Sequence, residues 1–186
     1  MVRELNELSR NQFDVLVIGG GIYGAITAWD AALRGLFVAL IERGDFGCAT
    51  SQNSLKVIHG GLRYLKDGNL KRIRTMACER TVWMKIAPHL VHPLACLTPT
   101  YDKISRNQLT MKVALGLNDM LSYDRNQLPD VEKNLPAGQI LTREECARHL
   151  PGLDTTVITG AALWHDAQMH SSERMLLSFV ISAIRA

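Results

Sequence analysis

Three glycines and one glutamate carry the first chemistry legible in this sequence. Gly19, Gly21 and Gly24 belong to a G-x-G-x-x-G run, Gly19-Gly20-Gly21-Ile22-Tyr23-Gly24. Gly19 permits a tight turn out of a strand, Gly21 lets a pyrophosphate approach the backbone, and Gly24 lets a helix pack closely on the strand. The helix that starts there presents N–H groups and a partial positive charge to the phosphates. Glu42 stands at the tip of the next apolar stretch, where a carboxylate accepts hydrogen bonds from a ribose diol. An acid there, in place of a basic residue, argues against a 2′-phosphate. A lone G-x-G-x-x-G is also an ordinary glycine-rich turn. Strand, glycines, helix, strand and acid in that order make it a dinucleotide site.

The elements that must position these residues follow from the pattern around them. Val15-Leu16-Val17-Ile18 reads as a buried strand with no polar face. Ile22 to Leu33 reads as a helix closed by Arg34-Gly35, and Leu36 to Ile41 as a second buried strand. The loop Arg43 to Asn53 is rich in Gly, Asp, Ser and Thr, and offers hydroxyls and N–H groups at the carboxyl end of the sheet. Ser54 to Gly61 reads as a short helix stopped by the glycine pair, with a turn at Asp67-Gly68-Asn69.

A long helix is expected over Leu70–Ala87, with Leu70, Ile73, Ala77, Val82 or Met84, and Ile86 inside, ending at Pro88. Leu94–Thr98 reads as a strand. A helix between Arg106 and Leu121 places Leu109, Val113, Gly116, Leu117, Met120 and Leu121 on one face, with Lys103, Arg106 and Lys112 near its polar side. That face either packs on its own core or lies on a membrane surface. A polar connection, a short helix opening at Thr142 and ending near Pro151, and a strand from Thr159 to Trp164 follow. Ser171 or Ser172 caps a last helix, Glu173–Arg185, inside which the chain stops, as at a cut end.

Composition narrows the class. The 186 residues are 47% hydrophobic and 21% charged, as in ordinary globular proteins, and a formal net charge of +3 is too small to point to nucleic acid. Lys56, Arg63, Lys66, Lys71, Arg72, Arg74, Arg80 and Lys85 form a basic run, which is either a solvated helix face or a field that draws in an anionic ligand. Cys48, Cys78, Cys96 and Cys146 have no C-x-x-C spacing, which suits reduced thiols in a cytosolic protein. No leader and no run long enough to span a bilayer is legible. His89 and His92 form an H-x-x-H without a third ligand, so no metal is expected. His59, beside Gly60-Gly61, is a cofactor contact, a general base or a loop histidine bonded to the backbone.

Four blocks resemble the FAD-dependent, respiratory, quinone-linked glycerol-3-phosphate dehydrogenases, in their N-terminal portion. They are Ile18 to Ala25, continuing through Ala28, Asp30 and Arg34-Gly35; Gly44-Asp45-Phe46 through Ala49-Thr50-Ser51 to Lys56-Val57-Ile58-His59-Gly60-Gly61-Leu62-Arg63-Tyr64-Leu65; Ile86-Ala87-Pro88-His89-Leu90 with Pro93, after Glu79-Arg80; and Asp166-Ala167-Gln168. The resemblance implies FAD, with its adenosine on Gly19, Gly21, Gly24, Glu42 and Arg43, and its flavin end near Thr50, Ser51, Lys56 and His59. Arg63 would meet the phosphate of the substrate, glycerol 3-phosphate, whose C2 hydride passes to the flavin. Dihydroxyacetone phosphate is released and the electrons pass to quinone, in a cytoplasmic protein touching the inner face of the membrane. The residues completing catalysis would lie beyond Ala186.

The chain departs from the family at Ile26, Leu55 and His170-Ser171-Ser172. The expected class is α/β: a Rossmann-like FAD/NAD(P)-binding fold with the beginning of an α+β substrate domain, cut short. An N-terminal arm over residues 1–12 would precede the FAD-binding β-α-β unit at 13–65. A helical, substrate-side segment at about 66–158 and a return to the FAD domain at about 159–186 complete the expected layout. Alternatives are another FAD-dependent amine or hydroxy-acid oxidoreductase of the superfamily, or a non-catalytic nucleotide-binding remnant.

Overall fold

A computed structural model describes residues 5–186, so the first four residues of the expected arm lie outside the described chain. A short helix, α1 (Leu5–Arg10), precedes the β-α-β unit formed by β1 (Val15–Ile18), α2 (Ile22–Leu33) and β2 (Val38–Ile41). Then come β3 (Val57–Ile58), a 3₁₀ helix over Leu62–Asp67, α3 (Leu70–Ile86), β4 (Val91–Thr100) and α4 (Gln108–Leu121). The chain continues through β5 (Gln139–Leu141), α5 (Arg143–His149) and β6 (Gly160–Met169) to α6 (Ser172–Arg185). Two units result, one built from the chain up to Lys56 with Ser171–Ala186, the other from Val57–His170.

In the first unit, β1 and β2 pair in parallel from Val15–Val38 to Ile18–Ile41. α2 is buried through Ala25, Ala28 and Ala31, and these small side chains let it lie close to the strands. The approach is closest at Gly24, where a Cβ would stand 2.0 Å from the Gly19 carbonyl oxygen. α6 adds Met175, Leu176, Phe179 and Val180 to this core, and the Trp29 and Phe179 rings meet at 5.1 Å.

The strands are not buried on both sides as their sequence suggests. Val17 and Ala39 are inside, but Leu16 and Ile18 are 57% and 79% exposed. Side chains alternate along a strand, and within this unit α2 is the helix laid against the pair. β2 also starts at Val38 rather than Leu36. The Leu36 N–H is taken by the Ala31 carbonyl, and Phe37 stacks on Phe13 at 4.6 Å.

The second unit is an antiparallel sheet ordered β3-β6-β4, with β5 also paired to β6. β4 and β6 run in continuous register from Val91–Met169 to Thr100–Gly160, longer than the expected 94–98 and 159–164. Pro93 and Pro99 do not end β4, because an edge strand loses no ladder bond where a proline lacks its N–H. Ser54–Gly61 is not a helix. Lys56 has φ 57°, which interrupts helical backbone, and Val57 and Ile58 pair with Gln168 and Ala167 of β6.

α3 turns only part of the expected set of side chains inward, Ile73, Ala77 and Met84, and adds Arg80 and Thr81 to it. Leu70, Val82 and Ile86 are exposed. α4 begins at Gln108, capped by the Asn107 side chain, which accepts the Thr110 N–H at 2.7 Å. It buries Leu115 and Asn118, while Leu109, Val113 and Met120 are 71%, 64% and 64% exposed. Of the apolar face foreseen for this helix, Leu109, Val113 and Met120 thus lie outside, while Leu117 and Leu121 are half-buried. α5 opens as its sequence spells: Thr142 accepts the Glu145 N–H and Glu145 returns a bond from the Thr142 N–H. Leu141, Cys146, Ile158, Ala161 and Leu163 form a core cluster.

The glycine pair has a packing role in this unit. A Cβ on Gly60 would fall 1.9 Å from Arg80 Nη1, and one on Gly61 (φ +96°) would fall 2.8 Å from Ile73 Cα. Gly61→Ala therefore combines a left-handed backbone with an overpacked helix contact. It should cost about 3 kcal/mol, read as a lower urea midpoint at unchanged slope; an unchanged midpoint would refute the packing role.

Candidate functional site

The first unit gathers the glycine run, Glu42, Arg43, Thr50, Ser51 and Lys56; the second carries His59 and Arg63. In the first, the chain leaves β1 through Gly19, whose φ of +105° makes the sharp turn and whose N–H bonds the Ile41 carbonyl at 2.8 Å. Glu42, just past β2, reaches back across this turn. Its Oε2 accepts the Gly20 N–H at 2.7 Å and its Oε1 the Gly44 N–H at 2.8 Å. These bonds, that from Gly44 foremost, hold the Glu42 carboxyl below the usual carboxylate value. Each oxygen keeps a second lone pair, so the carboxylate can still accept from a diol.

The loop after Glu42 folds back over the glycine turn. Gly47 donates to the Gly20 carbonyl at 3.0 Å, and the Phe46 ring lies where a Gly20 Cβ would be, 2.5 Å from its nearest carbon. Ser51 Oγ accepts the Ile22 N–H at 2.9 Å and so sits at the N-terminus of α2. Its hydroxyl hydrogen remains available for an anion bound there. Thr50 and Arg43 are exposed. A cavity of about 380 Å³ is lined by Ile18, Gly19, Ile41, Glu42 and Arg43. A Cβ built on Gly19 would meet nothing within 4 Å, so the backbone beside that cavity is open. Open backbone, a helix N-terminus and a carboxylate with spare lone pairs fit a dinucleotide.

Lys56 is committed to an ion pair. Its Nζ lies 2.9 and 3.2 Å from the two carboxylate oxygens of Glu173, in the first turn of α6. Ser171, the N-cap of α6, also donates to Glu173 Oε2 at 3.1 Å. Lys56 above all pulls the Glu173 carboxyl down to about 2.

In the second unit, His59 stands beside β3 with Nδ1 3.2 Å from Asp166 Oδ2. Asp166 Oδ1 accepts the Gly60 N–H at 2.7 Å and Arg80 Nη1 at 3.2 Å. Arg80 also donates to the His165 carbonyl at 2.9 Å, and burial pushes its guanidinium below the ordinary arginine value. Arg63 is exposed on the 3₁₀ helix, its guanidinium 5.6 Å from the Tyr64 ring, over which Arg72 also lies at 4.2 Å.

Sequence reasoning named Arg80 in a basic run and beside the third resemblance block, and Asp166 in the fourth, but gave neither a role in the site. The signal was the spacing Ile73, Ala77, Arg80, Met84, which puts one arginine on the buried stripe of α3. His92 stacks on His170 at 4.1 Å, and among the described residues no group of three or more metal-binding side chains converges.

Comparison with known proteins gives this geometry a lineage. Residues 14–186 match the DAO family, FAD dependent oxidoreductase, and the chain belongs to it. The glycerol-3-phosphate dehydrogenase of Synechocystis sp. is 37% identical over 185 residues, covering 100% of this chain and 32% of that protein. An alpha-glycerophosphate oxidase of Streptococcus pyogenes is 37% identical over 164 residues, covering 87% of the chain and 26% of the relative. The crystal structure of the glycerol-3-phosphate dehydrogenase from Bacillus halodurans complexed with FAD superposes with a TM-score of 0.64 at 24% identity, over 97% of this chain and 26% of that one. The chain therefore spans about a third or less of the length of these relatives.

The Lys56–Glu173 pair gives the first unit an acid-sensitive contact. Glu173 has its folded value depressed, so its stabilising effect is present above the ordinary 4.5 and is lost as the pH falls toward about 2. Acid titration of the amide signals around Lys56 should show that transition, and Glu173→Gln should remove it. The same transition persisting in Glu173→Gln would assign it elsewhere.

Proposed function

We propose that this chain is the FAD-binding and substrate-facing part of an enzyme that oxidises sn-glycerol 3-phosphate to dihydroxyacetone phosphate. The observation that carries the reading is the glycine turn closed by Glu42, in a chain 37% identical along its whole length to a protein named glycerol-3-phosphate dehydrogenase. Bound FAD supplies the acceptor for a hydride. Gly19, Gly21 and Gly24 bring backbone up to the pyrophosphate, Glu42 takes the ribose hydroxyls, and Arg43 stands beside it. Ser51 offers its hydroxyl to an anion at the start of α2. Thr50, Lys56 and His59 are assigned to the flavin end, with Glu173 holding the Lys56 ammonium in place. Arg63 is assigned to the substrate phosphate, whose charge and shape suit a guanidinium fork.

Electron transfer to quinone requires access to a membrane surface. The exposed row Leu109, Val113 and Met120, with Ile104 also exposed and Lys103, Arg106 and Lys112 beside it, supports a peripheral contact through α4. Among the described residues no helix is long and apolar enough to cross a bilayer.

The flavin spectrum of the purified chain after incubation with FAD and desalting tests the cofactor assignment. A retained and perturbed flavin band is expected, and Gly24→Val should weaken FAD binding at least about tenfold by driving a side chain into Gly19. A folded chain that retains no flavin would overturn the assignment. For the membrane contact, co-sedimentation with anionic vesicles should be lost when Lys103, Arg106 and Lys112 are all replaced by Glu. Undiminished co-sedimentation would remove α4 from the argument.

A further inference from the structure

The buried Asp166 carboxylate has three polar partners in the second unit, and it receives the only hydrogen bond that His59 makes among the described residues. The Asp166 side chain is 7% exposed, Arg80 2% and His59 44%. Oδ1 already accepts two donors, the Gly60 N–H and Arg80 Nη1, which fixes the carboxylate plane and leaves Oδ2 toward the imidazole. A carboxylate has no proton to give, so His59 Nδ1 must be the donor of the 3.2 Å contact. In the neutral imidazole the other ring nitrogen then carries a lone pair.

We propose that Asp166 is a positioning residue that fixes His59 as the Nδ1–H tautomer and makes Nε2 a hydrogen-bond acceptor for a ligand hydroxyl. The inference deepens the assignment of His59 to the site and rests on that reading for its ligand. The tautomer itself does not. Arg80 acts one step further back. Its guanidinium anchors Oδ1 and packs against the Gly60 backbone, so the carboxylate cannot rotate away from the ring without leaving a buried positive charge with a neutral carbonyl, that of His165, as its remaining partner. The spacing His59-Gly60-Gly61 thereby gains a chemical reason: Gly60 supplies the N–H that orients the carboxylate and the open space that admits Arg80. A histidine held only by solvent would populate both tautomers, whereas a charge-assisted bond selects one.

The experiment reads the ring directly. Histidine labelled with ¹⁵N in the 186-residue chain reports the tautomer through its ring-nitrogen shifts, at a pH about two units above the ordinary histidine value. Wild-type His59 should show Nδ1–H over Nε2–H by about tenfold or more. Asp166→Asn keeps the shape but allows the wrong tautomer, as an amide does in other Asp–His pairs, and should lower that ratio at least about tenfold. A wild-type ring found as Nε2–H, or a folded Asp166→Asn with an unchanged ratio, would overturn the proposal. Should Asp166→Asn fail to fold by far-ultraviolet circular dichroism, the wild-type ratio alone decides. Loss of flavin binding with the tautomer intact would count against the cofactor reading and not against this one.

Discussion

Burying an arginine is the constraint around which the second unit is arranged. A charge removed from water costs several kcal/mol even after the protein relaxes, and the cost is offset only by close, well-directed partners. Arg80 is 1% exposed, and its partners are the Asp166 carboxylate and the His165 carbonyl, both on β6. Meeting them requires α3 to lie over β6 at one register. It also requires the chain at Gly60 to pass without a side chain and the chain at Gly61 to press against α3 itself. From there the backbone enters the 3₁₀ helix that carries Arg63, while the residue just before the pair is His59. The two candidate site residues of this unit are thus placed by a single buried ion pair.

The first unit obeys a different constraint, one of distance and not of charge. Gly24 and the Gly19 carbonyl are so close that no other residue fits, which sets the angle between α2 and β1. Glu42 then closes the turn from the far side by accepting the Gly20 N–H, and Ser51 closes the helix end by accepting the Ile22 N–H. The second half of the unit is tied to the first by a like device, Lys56 on Glu173. Glu42 thus holds the turn, Ser51 the helix N-terminus, and Lys56 the start of α6. A glycine turn built this way is rigid before any ligand arrives, because its donors and acceptors are already oriented by backbone bonds.

What the sequence disclosed and what it withheld divide along the range of the interactions. The β-α-β unit was legible because its signals are local: a strand run, fixed glycine spacing, a Gly35 after the last helical turn and an acid at the strand tip. The caps at Thr142 and Ser171 are local too, and the helices begin beside them. Val57-Ile58 was misread as helix because its strand state is supplied by β6, more than a hundred residues away, and by a left-handed Lys56 that no pattern announces. β4 was cut short at its prolines because its edge position is a property of the sheet. In α4 the apolar stripe is real but half of it, Leu109, Val113 and Met120, faces out, since periodicity identifies a stripe and not what covers it.

The candidate site shows the same division in sharper form. Gly60 and Gly61 sit in the block most characteristic of the family, and a motif reading treats such a block as one functional unit. The structure separates its parts. The glycines answer to Arg80 and Ile73, which belong to α3, while His59 and Arg63 stand exposed on either side. Buried and exposed members of one motif answer to different pressures: the first fail by overpacking, the second by lost chemistry. Asp166 joins the two classes, because one oxygen serves the buried arginine and the other serves the exposed histidine. A residue with that double duty cannot be replaced by one that satisfies only the core. This links the Asp166-Ala167-Gln168 block to the His59-Gly60-Gly61 block across the width of the β3–β6 ladder, although in sequence they lie far apart.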